Sequence, residues 1–314
     1  MSKLIYFAIP WFLATLFLEA YLLRRAARAG RSDFIGYEKN DTRASLVMGT
    51  GNLIVSSAAR VGQLALYLWI YQHRIFDIGT GPLAWVLLFF AEDFTYYWWH
   101  RASHEVRFMW AAHVNHHSSE RFNLSTALRQ SWTTPLTVPL FYFWLPLIGF
   151  HPLMIFTQVG ISLLYQYWVH TELVRTVGPF EWILNTASHH RVHHGSNLEY
   201  LDRNHAGILI VWDRWFGTFE PEGARVVYGL THDIRTFDPI QIAFHEWRSL
   251  VHDVRAAKTW KDKLRFVFSP PGFSPDETTL TANEMRRAAG RAAHSPATAA
   301  PRNNGSSRSA DAKA

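Results

Sequence analysis

The sequence predicts an all-α integral membrane protein: about four to five transmembrane helices and a cytoplasmic helical cap holding a histidine-rich di-metal site. Three observations predict it. Apolar runs close to membrane-crossing length recur through the first half of the 314 residues. Histidines gather at the ends of those runs, three and four residues apart. Basic residues crowd into the loop between the first two runs, which sets an orientation.

Composition narrows the class. Aromatic residues make up 15% of the chain, with 14 tryptophans, which suits a lipid–water boundary. There are no cysteines, so disulfides, thiolate metal sites and a cysteine nucleophile are excluded. The net charge of +6 comes with no basic helix or nucleic-acid motif, so no nucleic-acid partner is expected. Anionic lipid headgroups explain the excess better.

Leu4 to Leu23 holds a single charge, Glu19, and one proline, Pro10, and reads as a retained anchor spanning the bilayer. A loop with Arg24, Arg25, Arg28, Arg31, Lys39 and Arg43 follows. Leu46 to Tyr71 is a second span, rich in Gly and Ser at first and interrupted by Arg60. Leu83 to Trp99 is a third and runs straight into His100. Pro135 to Phe150 and Pro152 to Val169 form a pair around a Gly-Phe-His-Pro turn, each slightly short, so a partly crossing hairpin is expected. Positive-inside logic puts the basic loop in the cytoplasm. The third span then returns there at His100 and the hairpin at His170, so every histidine cluster falls on one side. The parity argument does not use the histidines.

Beyond His170 the chain is soluble in character. Pro239 to Ala257 places Ile240, Ala243, Phe244, Trp247, Leu250, Val251 and Val254 on one helical face. The KTWKDKLRFVF run after it reads as lying in the membrane interface. Residues 1–275 are therefore taken as one membrane-embedded domain. Residues 276–314 form a polar, mostly disordered tail, with a turn or two of helix around Glu284 to Ala293.

The histidines carry the chemistry. His100 and His104 stack one helical turn apart; His113 aligns with His116 and His117; His170 stands alone; His190, His193 and His194 repeat the earlier spacing. Nine imidazoles exceed what one ion takes, and two metals with four or five ligands each fit the count. Imidazole suits iron, copper, nickel and zinc alike. Ligands placed where apolar helices emerge imply a lipid substrate. Two irons there could use O2 to break an unactivated C–H bond, chemistry that belongs to the cofactor. His189 is a ligand, a donor to one, or only a neighbour of His190, and His205 is equally open. His73, His151, His232, His245, His252 and His294 read as packed or solvated.

Glu92 and Asp93 lie deep in an apolar run, where acids are costly. Asp93 shares a face with His100 and either orients its imidazole or pairs with Arg60. Glu105, Glu172 and Asp202 are further candidates for orienting ligands. Tyr96, Trp98, Trp99, Trp110 and Trp132 line the approach or pack. Glu-x-x-His is absent, against a ferritin-like carboxylate bundle, and so is His-Glu-x-x-His, against a zinc metalloprotease. Three other readings compete, one of them a non-catalytic membrane scaffold that keeps the boxes but binds no metal. A membrane metal transporter needs ionisable groups along several spans, whereas these gather on one side. A zinc-dependent membrane lipid hydrolase needs neither O2 nor a reductant.

WWHRASHE, AAHVNHHSSERFNLSTALRQ, LLYQYWVHTELV, NTASHHRVHHGSN and IVWDRWFGTFEPE resemble the fatty acid hydroxylase / sterol desaturase superfamily over roughly residues 85–222. The NLSTALRQ and SHHRVHHG blocks are similar to its alkylglycerol monooxygenase branch and bacterial relatives. The resemblance implies a membrane-embedded di-iron oxygenase that hydroxylates or desaturates a lipid with O2. It implies His100, His104, His113, His116, His117, His190, His193 and His194 as metal ligands, with His170 and His189 less directly, and Glu105 as an acidic position beside the first box. The animal ether-lipid branch implies tetrahydrobiopterin as electron donor, although no pterin-binding residues are identifiable. Asn204-His205-Ala206-Gly207 departs from an Asn-Tyr-Gly-Gly-like run. The chain has no Gly-x-Gly-x-x-G nucleotide motif or haem domain, so electrons are expected from a separate donor protein or a diffusible reductant.

Overall fold

The computed structural model describes residues 3–30 and 33–293. His294 and the rest of the expected tail lie outside the described residues. Thirteen α-helices and three short 3-10 turns occur among the described residues, with two isolated bridges, Leu184 to Leu209 and Gly195 to Tyr228, and no strand.

Helix α1 (Lys3–Arg28) turns Phe7, Trp11, Phe17 and Leu18 outward. Its single acid points the other way. Glu19 is buried, accepting from the Tyr37 and Thr171 hydroxyls and, at 2.8 Å, from the Leu124 amide. The charge inside the apolar run thus joins α1 to three distant segments.

Helix α2 (Lys39–Gln72) begins earlier than the apolar run, because Glu38 caps it by accepting from Asp41 N at 2.7 Å. The glycines near its start have a packing reason. A Cβ on Gly49 would stand 2.6 Å from the Leu128 carbonyl, and one on Gly51 would strike the Trp132 indole. The lack of a side chain at both lets residues 128–132 lie directly on the helix. Within the described residues, α1 from Phe7 and α2 are the two helices long and apolar enough to cross a membrane.

Helix α3 (Pro82–Glu105) exposes Leu83, Val86, Leu87 and Phe90 and buries Leu88, Glu92, Asp93, Tyr97, His100 and His104. It leads through two short helices, α4 (Arg107–Ala111) and α5 (Val114–His117), into the second histidine group. The expected span from Pro135 is not one helix. It is a 3-10 turn at Thr134–Leu136 followed by α6 (Pro139–Tyr142) and α7 (Trp144–Ile148). Pro135, Pro139 and Pro146 each remove a backbone donor, which breaks the ladder. Helix α8 (Pro152–Trp168) then runs intact toward His170.

Helices α3, α6, α7 and α8 and one end of α2 close around Tyr67, Leu88, Trp99, Tyr142, Leu145 and Ile155. The rest forms a layer of short elements beyond the histidine end of α3: α9 (Ala187–His193), α10 (Val211–Phe216), α11 (Pro239–Ala256), α12 (Trp260–Phe268) and α13 (Ala282–Ala293). Helix α11 packs on α2 through Ile242 and Ala243 and on α4 through Trp247 against Phe108. Arg107 of α4 is clamped between Glu246 and Asp253, each at 2.7 Å. Helix α12 leaves Trp260, Leu264 and Phe268 exposed along one face. Helix α13 is longer than the expected turn or two. A reciprocal cap starts it, Thr281 N donating to Glu284 Oε2 at 2.8 Å and Glu284 N to the Thr281 hydroxyl at 3.4 Å.

Candidate metal centre and substrate cavity

Nine imidazoles converge from four stretches of chain into two groups. His100, His104, His113, His117 and His193 form one; His116, His170, His190 and His194 form the other. Within each group the available ring nitrogens lie within 4.8 Å of one another, and all nine residues are buried. The turn geometry explains the split. His113 and His117 are four residues apart across α5, and His116 is turned about 100° from His117, so adjacent rings lead to different groups. His190 and His193 divide in the same manner at the end of α9.

Backbone carbonyls set the rings. His100 Nδ1 donates to the His205 carbonyl at 2.8 Å, His116 Nδ1 to that of Arg129 at 3.3 Å, His170 Nδ1 to that of Gln166 at 2.8 Å, and His193 Nδ1 to that of Arg203 at 2.9 Å. A neutral ring that donates from Nδ1 carries a lone pair on Nε2. The Nε2 atoms of His116 and His170 therefore face each other lone pair to lone pair at 3.1 Å. His190 Nε2 is 2.9 Å from the same His170 atom, and His113 Nε2 lies 3.0 Å from that of His100 and 3.2 Å from that of His117. The His116–His170 contact, lone pair to lone pair, repels unless a cation lies between the atoms. Ligand atoms about 2.1 Å from one ion sit roughly 3.0–3.4 Å apart, so the spacing fits metal coordination. Nε2 of His104, His193 and His194 is buried without a hydrogen-bond partner among the described residues, as ligand atoms would be.

Electrostatics agrees. Burial, followed by repulsion between neighbouring imidazoles, pulls the pKa values of His113, His117, His190, His193 and His194 well below the usual imidazole range. Burial likewise lowers that of His116 to about 4. Neutral rings at pH 7 are the ligating form.

The surrounding residues differ in part from expectation. His189 belongs to neither group; its ring packs on Phe219 at 5.4 Å between centroids. Asp93 meets neither an imidazole nor Arg60. Its carboxylate accepts from Ile208 N at 2.7 Å, Leu209 N at 3.0 Å and Trp212 Nε1 at 2.9 Å, because α3 turns that face toward the 205–212 loop. The guanidinium of Arg60 lies over Phe156. Glu105 pairs instead with Arg101 one turn back, at 2.9 Å, on a half-exposed face. Glu172 accepts from the Ile35 and Gly36 amides at 2.9 and 3.2 Å. Asp202 stands beside the centre, 3.7 Å from His104 Nδ1.

Three braces have no counterpart among the residues that spacing singles out. Asp213 accepts from the His205 and Ala206 amides at 2.7 and 2.8 Å, fixing the carbonyl that orients His100. Arg129 is buried, bonded to Asp41 at 2.5 Å, Ser45 at 3.1 Å and Ser118 at 3.0 Å, so the second box is tied to the start of α2. Arg191, inside the third box, is held bidentately by Glu222 at 2.8 and 2.6 Å. All three are buried charged residues, and burial is not legible in composition alone.

Two cavities reach the centre from different sides. One, of about 380 Å³, is walled by Phe12, Leu53, Val138, Ile155, Phe156 and other apolar groups, with His113, His116 and His170 among its lining residues. Leu13 and Leu163, both in its wall, are exposed, which places the mouth between α1 and α8. Tyr96 and Trp99 line it too, whereas Trp98 packs on Phe216 and Trp132 on Phe244. The other cavity, about 1140 Å³, is lined by His104, His117, His193 and His194 together with Trp110, Arg107, Asp202 and residues of α11 and α12. An apolar approach and a more polar one thus reach the cluster from two sides, at different imidazoles.

Two membrane-length helices and a buried histidine cluster in two groups define a helical histidine-box protein. The chain belongs to the fatty acid hydroxylase family, whose model, Fatty acid hydroxylase, matches residues 85–218. It is 42% identical over 282 residues to alkylglycerol monooxygenase of Homo sapiens, covering 88% of this chain and 61% of that protein. With the Xenopus tropicalis alkylglycerol monooxygenase it is 44% identical over 243 residues, 77% of this chain and 54% of that protein. With the ornithine lipid hydroxylase of Rhizobium tropici it is 30% identical over 187 residues, 58% of this chain and 55% of that protein. The chain thus spans a little over half the length of these curated relatives. No solved structure gives a significant match.

Proposed function

We propose that this protein is a membrane oxidoreductase: a di-iron monooxygenase that hydroxylates, or desaturates, a C–H bond of a lipid with O2 and electrons from an external donor. The facing lone pairs of His116 and His170 at the inner end of an apolar cavity carry the reading. They call for a cation where a lipid chain can reach. The relatives named alkylglycerol monooxygenase and ornithine lipid hydroxylase support a lipid substrate, and an ether lipid is the first class to test, with sterols next.

His100, His104, His113, His117 and His193 would hold one ion, and His116, His170, His190 and His194 the other. When bound, the metal pair supplies the oxidising chemistry. The chain's own residues supply the rest. Carbonyls of residues 129, 166, 203 and 205 fix the ring tautomers and leave Nε2 free. Aliphatic and aromatic walls align the lipid chain and exclude water. The polar cavity gives O2, protons and a reductant, either a small protein at its rim or a diffusible donor such as a tetrahydropterin, a route apart from the lipid. We place α1, α2, α3 and the pair α7–α8 in the bilayer, as four to five crossings, and the histidine layer at its cytoplasmic face.

Purified protein is expected to contain two iron ions per chain and to consume O2 only with a lipid and a reductant present. One atom of labelled O2 should enter the product of a hydroxylation, and none should enter that of a desaturation, which instead loses two hydrogens. Zinc in the sites, with lipid cleavage in the absence of O2, would replace this reading by a hydrolase.

A further inference from the structure

We propose that the end of the apolar cavity remote from the histidines is a second recognition point, formed by Tyr67 and Glu92. It would take a lipid that carries an uncharged hydrogen-bonding group, such as a hydroxyl, along or at the end of its chain. The inference rests on the lipid reading above and names what that lipid must contain.

Both residues line the cavity, and both are buried, Glu92 at 0% and Tyr67 at 2% exposure. Glu92 Oε1 accepts from the Tyr142 hydroxyl at 3.1 Å. Neither its Oε2 nor the Tyr67 hydroxyl has a partner at hydrogen-bond geometry among the described residues, and the buried Gln158 amide is the other polar neighbour of the carboxyl. The Tyr67 ring stacks on Phe156 at 5.7 Å and sits in the cluster of Leu88, Leu145 and Ile155, an environment that phenylalanine would fill as well. Leaving such polar atoms unpaired costs about 1–3 kcal/mol each. Two of them in the lining of one cavity imply an occupant with a polar group to offer. A hydroxyl can pair with either, donating to the carboxyl oxygen or accepting from the phenol. An anionic group would meet the Glu92 carboxyl, and a cationic one would meet Arg60, which lines the same cavity.

The spacing sets a ruler. Glu92 precedes His100 by eight residues of continuous helix, which is about 12 Å. The polar group of the lipid is thus placed about that far from the imidazole nearest on α3, with hydrocarbon between.

The test uses two single-chain lipids that differ only by a mid-chain hydroxyl, each competed against a fluorescent acyl chain on the full-length protein in detergent. Native protein should prefer the hydroxylated lipid by about tenfold, the worth of one to two hydrogen bonds. Tyr67→Phe and Glu92→Leu should each cut that preference to threefold or less, with affinity for the plain lipid unchanged, which also reports that the fold persists. Glu92→Gln keeps an acceptor oxygen and should retain most of the preference. Equal affinity of native protein for the two lipids, or a preference that survives both Tyr67→Phe and Glu92→Leu, overturns the proposal and leaves water as the occupant. Binding is read without O2 or reductant, so a protein that oxidises no lipid could still show the preference. Lipid oxidation without the preference defeats this proposal alone.

Discussion

The carbonyl of His205 accepts from Nδ1 of His100 at 2.8 Å, joining residues 105 positions apart. Neither residue holds that geometry by itself. The amides of His205 and Ala206 are tied to Asp213, and those of Ile208 and Leu209 to Asp93. Two buried carboxylates thus fix a loop whose carbonyl sets a ring that neither of them touches. Asp93→Asn replaces one acceptor oxygen by an amide that faces a donor. The expected outcome is a 10- to 100-fold loss of metal affinity or lipid oxidation, the usual effect of disturbing groups that orient a ligand. Metal content by elemental analysis, with an oxidation assay alongside, checks it. Unchanged values for both would mean that the loop holds itself.

The division of the histidines into five and four makes a stoichiometric prediction. His104→Ala and His190→Ala remove ligands from different groups, so each variant should keep one ion strongly and lose the other, with lipid oxidation abolished in both. His189→Ala removes a ring that packs on Phe219 outside both groups, and should retain both ions. Loss of an ion from the His189 variant would bring that residue back into the ligand set.

Much of this centre is legible in the amino-acid sequence. Residue type and helical spacing mark nine histidines, and the fold gathers those nine into two groups. The chain's apolar runs likewise become α1, α2, α3 and α8 with shifted ends. Partnership across long separations is what spacing does not encode. Asp93 shares a helical face with His100, which suggests a direct contact, but the carboxylate is taken by amides 115 and 116 residues away. Glu105 adjoins a histidine box yet turns to Arg101, because a side chain next in sequence to a ligand points to another face. The run from Pro135 is continuous in its apolar content, and its three prolines divide it into short helices.

Glu105 gives a sharp negative prediction. Its pair with Arg101 is an i, i+4 contact with a half-exposed carboxylate, worth under about 1 kcal/mol. Glu105→Gln should leave metal content, and oxidation within about twofold, as they were. A tenfold loss would place the carboxylate in the centre's chemistry.

Arg129 should behave in the opposite way. Replacing it with Met leaves the Asp41 carboxylate buried with the Ser119 hydroxyl as its remaining side-chain hydrogen-bond partner, and breaking such a buried pair costs about 3–5 kcal/mol. It also frees the segment whose carbonyl accepts from His116. The variant should unfold at a markedly lower temperature and bind less metal in the four-histidine group. The double variant Arg129→Met with Asp41→Asn should recover part of the stability, since no uncompensated charge remains.

Acid stability follows from the same burial. His116 has its pKa lowered from 6.5 to about 4 in the folded chain, chiefly by desolvation. Between those values the unfolded chain binds the proton and the folded one does not, so the stability of metal-free protein must rise with pH across that window. His113, His117, His190, His193 and His194 are shifted in the same direction and steepen the slope beyond one proton. Thermal unfolding in the presence of a chelator, followed from pH 7 down to pH 4, should show a continuous fall, with further weakening below pH 4 from His116 no longer expected. Bound metal deepens the effect, because it too stabilises only neutral rings, so metal release and unfolding should move to lower pH together when the sites are loaded. A stability profile flat between pH 6.5 and pH 4 would mean that the rings take up protons within the fold, and that the cluster is open to water.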